Sequence, residues 1–134
     1  MTHVSKKQLN KKAEKELLHN FNLVLADIKQ EDEMEYFLNS LLSSTERLML
    51  AKRLAIVILL KEGVPHISIA SALNVTEATV SRMQLFLEAR GGGYEVSLKK
   101  LAKKKMHAEF KSFLLKLARY SIRAAGGYVK PGVL

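Results

Sequence analysis

Residues 69–83 read IASALNVTEATVSRM. Two short apolar-patterned pieces are broken after Leu73 by Asn74 and Val75, with Thr76 directly behind. The stretch is either a helix-turn-helix or simply two packed helices, and the positions that must be buried discriminate between them. In a frame of about twenty residues beginning at His66, the inward positions fall on Ile69, Ala70, Leu73, Val75, Val80 and Met83, all of them apolar. Ala70 stands where the two helices approach most closely, which requires a small side chain. Asn74 takes the turn position usually given to glycine, and asparagine is the next most tolerant of a left-handed backbone. Thr76 suits the N-cap of the second helix, with Glu77 favourable at its positive end.

The outward positions are Thr76, Glu77, Ala78, Ser81, Arg82 and Leu85. They are short or polar at the start of the second helix, with one arginine. A helix entering a major groove about 12 Å wide needs such a surface. A packed helix pair that binds protein instead of DNA could carry the same inward pattern.

The chain has 134 residues, enough for one domain, and its apolar fraction of 48% fits a folded one. It has two prolines, Pro65 and Pro131, while glycines gather at 91–93 and 126–127. Long stretches free of both breakers and rich in Leu, Lys, Ala and Glu predict an all-α protein. A lysine-rich helix is expected from about Ser5 to Ile28, with Leu17, Leu18, Phe21, Val24 and Leu25 at helical spacing. A second helix should start at Asp32, with Asp32 and Glu35 spaced as a capping pair, and a third should run from about Ser44 to Glu62. Ser43 and Glu46 have the spacing of a capping box at its start. This third helix is apolar on almost every side and so must be surrounded, for which an interlocked dimer supplies more chain than a monomer.

Gly63 ends the third helix and Pro65 opens the next segment. Beyond the opening motif, Gly91–Gly93 break the chain. Tyr94, Val96 and Leu98 alternate like a strand, yet five residues without a partner strand read better as a short helix. A basic amphipathic helix follows, with Phe110, Phe113, Leu114, Leu117 and Ile122 on its apolar side. The expected organisation is a domain over residues 1–103 with the helix-turn-helix at about 66–89, the basic helix over 104–125 and a loose tail over 126–134.

The net charge is +9, concentrated in lysines and arginines near both ends of the chain. Such arms attract polyanions through counterion release. There is no cysteine, hence no disulfide framework or thiolate metal site, which is compatible with a reducing compartment. The polar N-terminus lacks the apolar core of a signal peptide, and the longest apolar run, residues 54–60, falls far short of the roughly 20 residues that span a bilayer. His3, His19, His66 and His107 lie far apart, no serine sits in a nucleophile elbow, and the glycine run lacks the sequel of a phosphate loop. These features exclude the common enzyme classes. No metal or cofactor is expected, His66 reads as a surface or capping residue, and the location is expected to be cytoplasmic with no membrane association.

The segment LLSSTERLMLAKRLAIVILLKEGVPHISIASALNVTEATVSRMQLFLE (residues 41–88) resembles the core of the Trp repressor superfamily. The resemblance is carried by Glu46 and Arg47 after the cap, Arg53 in the long helix, Gly63 at its end, and Ala78–Arg82 in the second helix. GGGYEVSLKKL (residues 91–101) is similar to a segment of the smaller YerC/YecD group of Trp repressor-like proteins. Overall the likeness covers about Leu18 to Lys103. It implies an intertwined, Trp repressor-like helical bundle, a homodimer with two DNA-reading heads. It places Ala78, Thr79 and Ser81 near base edges and Arg82 at the junction of ligand and DNA.

In the repressor, arginines matching Arg53 and Arg82 hold tryptophan, and Ser43 takes the place of a pocket threonine. The rest of that pocket departs from the pattern, with Ser40 for a leucine, Met83 for a glycine and Phe86 for a serine. Two bulky side chains at the entrance argue by overpacking against an indole-sized ligand, so no small-molecule co-repressor is expected. The sequence thus predicts a dimeric, sequence-specific binder of double-stranded DNA, a transcriptional regulator or repressor. Its DNA-contacting residues are expected to be Thr76, Glu77, Ala78, Thr79, Ser81, Arg82, Lys99 and Lys100. The alternatives are non-specific nucleic-acid binding through the basic ends, or a protein-interaction module.

Overall fold

A computed structural model of the protein describes residues 8–101 and 104–124. Among these the chain is all-helical, with seven helices and no strand: α1 Lys11–Asp27, α2 Glu31–Leu41, α3 Ser44–Lys61, α4 His66–Leu73, α5 Glu77–Arg90, α6 Gly92–Leu101 and α7 Lys105–Ala124. By internal packing it divides into two units, Met1–Met49 and Leu50–Leu134, and the boundary falls within α3.

In the first unit, α1 is capped by Asn10, whose side-chain oxygen accepts from the Ala13 N–H at 2.8 Å. The expected Asp32–Glu35 capping pair does not form. Helix α2 begins one residue earlier, behind Gln30, and no side chain caps it. Asp32 instead accepts from the adjacent Glu33 N–H at 2.9 Å, because inside the helix its side chain no longer reaches across an N-terminus. The Ser43–Glu46 capping box forms as the spacing predicts. The Glu46 N–H donates to Ser43 Oγ at 3.1 Å, and the Ser43 N–H donates to Glu46 Oε1 at 2.9 Å. The Ser43 N–H is the largest cause holding the Glu46 carboxyl at about 2, below its ordinary 4.5.

Neither α1 nor α2 buries a single residue. Leu17, Leu18, Phe21 and Val24, at helical spacing on α1, are all exposed.

The second unit holds the core. The run Ala55–Leu59 is buried on every side, and Val64, Ile69, Ala70, Leu73, Val80, Leu114 and Ala118 complete it. Gly63 closes α3 with a left-handed backbone, φ 78°. Its N–H donates to Leu60 O and the Val64 N–H to Leu59 O, both at 3.1 Å, so the orphan carbonyls of the last turn are satisfied. Helix α7 packs along α4. Its Leu114 is only 2% exposed, and Lys111 pairs with Glu62 at 2.8 Å. Phe113, expected on the apolar side of this helix, is 58% exposed. One residue of helix rotates a side chain by about 100°, which carries Phe113 off the seam that Leu114 and Ala118 define. The expected apolar position Ile122 and the tail 126–134 lie outside the described side chains.

The break at the glycine run falls where expected. Helix α5 stops at Arg90 and α6 starts at Gly92, helical as anticipated. A Cβ on Gly91 would lie 2.4 Å from the Leu87 carbonyl oxygen, so only glycine lets the chain pass there without a shift. Lys61 and Glu95 form an ion pair that ties α6 to the end of α3 and holds the Glu95 carboxyl below its ordinary range.

Candidate nucleic-acid interface

Helices α4 and α5 pack on each other across a turn made of Asn74, Val75 and Thr76. Asn74 has φ 52° and ψ 54°, the left-handed conformation that its residue type accommodates. The N–H groups of Asn74 and Val75 both turn back to the Ala70 carbonyl and close α4. Thr76 then caps α5, its hydroxyl accepting from the Thr79 N–H at 3.1 Å. From α3, Lys52 donates to the Asn74 carbonyl at 3.4 Å, which links the turn to the long helix.

The inward set behaves as the frame requires. Ile69, Ala70, Leu73 and Val80 are buried, and Val75 and Met83 are half-buried against them. Thr76, Glu77, Ala78, Ser81, Arg82 and Leu85 are exposed, and Thr79 is half-buried. A polar line runs along one edge of α5. The Thr76 and Thr79 hydroxyls are 2.9 Å apart, and Arg82 Nη2 donates to Thr79 Oγ1 at 3.4 Å. The arginine is thereby held over the first two turns of the helix. Ser81 lies 3.4 Å from Nδ1 of His66, the first residue of α4. Lys99 and Lys100 are exposed in the last turn of α6.

Among the residues matching a ligand pocket, Ser43 is engaged in the capping box and exposed, and Arg53 is exposed on α3. Met83 rests against the core, whereas Phe86 is largely outside it, with the Arg90 guanidinium 5.5 Å from its ring centre. Two contacts around the turn carried no signal in the sequence. The contacts Lys52–Asn74 and His66–Ser81 join positions 22 and 15 apart, so only the packing of α3 and α4 around α5 reveals them.

A comparison with known protein families matches residues 16–102 to the Trp repressor protein. The chain belongs to the Trp repressor family. No curated protein and no solved structure matches it. The match takes in α2 to α6 entire and most of α1, while α7 lies beyond it. Membership in this family points to a DNA-binding regulator rather than an enzyme. Among the described residues no helix is long and apolar enough to cross a membrane.

Proposed function

We propose that this member of the Trp repressor family binds duplex DNA in a sequence-specific manner as an intertwined homodimer and regulates transcription. One observation carries the reading: a helix pair with a left-handed turn residue, a capped second helix and an exposed, short-chained polar face on that helix, within a chain of this family. In this reading α4 and α5 form a helix-turn-helix. Ala78, Thr79 and Ser81 approach base edges in the major groove, Thr76 and Glu77 line its rim, and Arg82 reaches a base or phosphate. Lys99 and Lys100 add phosphate contacts that position the head without reading sequence.

The dimer is supported by the first unit, whose two helices bury nothing within one protomer and present Leu17, Leu18, Phe21 and Val24. An apolar face of this extent finds its natural cover in a second copy. Two recognition helices would then meet successive major grooves about 34–36 Å apart on a near-palindromic site. Tryptophan is not needed in this reading. Met83, which by the resemblance takes the place of a pocket glycine, packs against the core, and Ser43 is committed to the capping box. The segment Gly91–Leu101 favours the YerC/YecD group within the family, and a cytoplasmic location follows from a DNA target.

Selection of sites from random duplex DNA, with and without free tryptophan, tests the proposal together with the sedimentation mass. A shared motif recovered equally in both conditions by a dimer is the expected result. Enrichment of random duplex without a motif would favour the non-specific alternative, and a selection that depends on tryptophan would overturn the ligand-independent reading.

A further inference from the structure

The contact between His66 and Ser81 bears on which bases α5 can accept. A serine hydroxyl carries one proton to donate and two lone pairs to accept, so unconstrained it serves either kind of base edge. Thr79, two residues nearer the cap, is already engaged by Thr76 and Arg82. Ser81 is exposed on the outward face and has the His66 ring nitrogen Nδ1 at 3.4 Å. The two ring nitrogens of histidine are distinct, and the state of Nδ1 decides the direction of that hydrogen bond.

We propose that His66 sets the hydrogen-bond polarity of Ser81, and with it a base preference that reverses when the imidazole takes up a proton. The inference rests on α5 being the recognition helix. With Nδ1 bare, as in the tautomer that neutral histidine favours, the ring accepts the Ser81 proton. The hydroxyl then shows only lone pairs to the groove and selects base-edge donors, the amino groups of adenine and cytosine. With Nδ1 protonated, the ring donates to Ser81 Oγ instead. The hydroxyl proton is freed to point outward and selects acceptors, guanine N7 and O6 or thymine O4. His66 is a positioning residue here, acting on DNA through Ser81.

Histidine is the side chain whose charge changes between about pH 5 and 8. Helix α4 carries no other ionisable group. On the helices packed against it, α5 carries Glu77, Arg82, Glu88 and Arg90, and the described side chains of α7 include His107, Glu109, Lys111, Lys116, Arg119 and Tyr120, with Glu62 at the end of α3 paired to Lys111. His107 is the other imidazole of this group and supplies the control.

The test is site selection by the full chain at about pH 8 and about pH 5.5, with wild type, His66→Ala, His66→Asn, His107→Gln and Ser81→Ala, each checked for native helicity by circular dichroism. In wild type and His107→Gln, one position of the half-site should pass from adenine or cytosine to guanine or thymine as the pH falls, by about 3- to 10-fold in preference. His66→Ala and Ser81→Ala should make that position degenerate at both values. His66→Asn, whose side chain does not titrate, should give the same preference at both. A wild-type motif that does not change with pH, or a pH-dependent one that survives in His66→Ala, would overturn the proposal while leaving the DNA reading intact. Recovery of no motif at either pH would overturn both.

Discussion

Replacing Leu114 by alanine tests whether α7 is part of the folded head or an appendage to it. The helix lies beyond the residues that match the family, so nothing in the likeness accounts for its place. Leu114 is 2% exposed and belongs to the core cluster with Ile69, Ala70 and Val80, whereas its neighbour Phe113 is 58% exposed. Truncating a fully buried leucine costs the transfer free energy of the methyl and methylene groups removed plus the cavity left behind, about 2–5 kcal/mol. Alanine is the better helix former, but by only a few tenths of a kcal/mol, so the sign does not change. For a chain of this length, about 3 kcal/mol lowers the unfolding midpoint by roughly 10–15 °C. Phe113→Ala removes more atoms from a mostly solvated position and should cost less than about 1 kcal/mol. The assay is thermal or urea unfolding followed by circular dichroism, at one fixed protein concentration because an oligomer's midpoint depends on it. If Leu114→Ala costs no more than Phe113→Ala, α7 is not docked on α4 and the packing reasoning fails.

Thr76→Ala removes the hydroxyl that accepts the Thr79 N–H, and should destabilise by about 1 kcal/mol, read as a shift of the urea midpoint at unchanged slope. Asn74→Gly should be near neutral while Asn74→Val costs about 1–2 kcal/mol, since a β-branched side chain is strained at φ 52°; equal midpoints for the two would remove the left-handed turn from the account. The Glu46 carboxyl is depressed in the folded chain, so its contribution is complete above the ordinary glutamate value and fades as pH falls towards about 2. Carboxyl chemical shifts should show its midpoint well below the ordinary glutamate value of 4.5, and Glu46→Gln should flatten the acid limb of the stability curve. Replacing Lys99 and Lys100 by glutamine should lower the salt slope of duplex binding by about 0.9 for each phosphate no longer neutralised and weaken all sequences alike; an unchanged slope would remove them from the interface.

Much of this molecule is local, and most of what is local was legible. The Ser43–Glu46 box, the Asn74 turn and the Thr76 cap each join residues three or four positions apart, so composition and spacing suffice to place them. The inward set Ile69, Ala70, Leu73 and Val80 is legible for a similar reason, because a buried helix pair leaves its contact positions no choice but to be apolar. Spacing alone misplaced Asp32, where two acidic residues three apart look like a cap although the helix begins before them. It also put Phe113 inside, since hydrophobicity does not say which of two adjacent apolar residues meets the neighbouring helix.

The sequence by itself determined the all-helical class, the breaks at Gly63 and Gly91, the caps at Ser43 and Thr76, the polar outward face of α5 and the resemblance to the Trp repressor superfamily. Tertiary structure alone decided three things: that α7 closes the core over α4, that Lys52 holds the Asn74 turn, and that His66 stands beside Ser81. Each depends on how helices cross in space. Crossing is set by which side chains interlock across many intervening residues, and no local spacing along the chain records it.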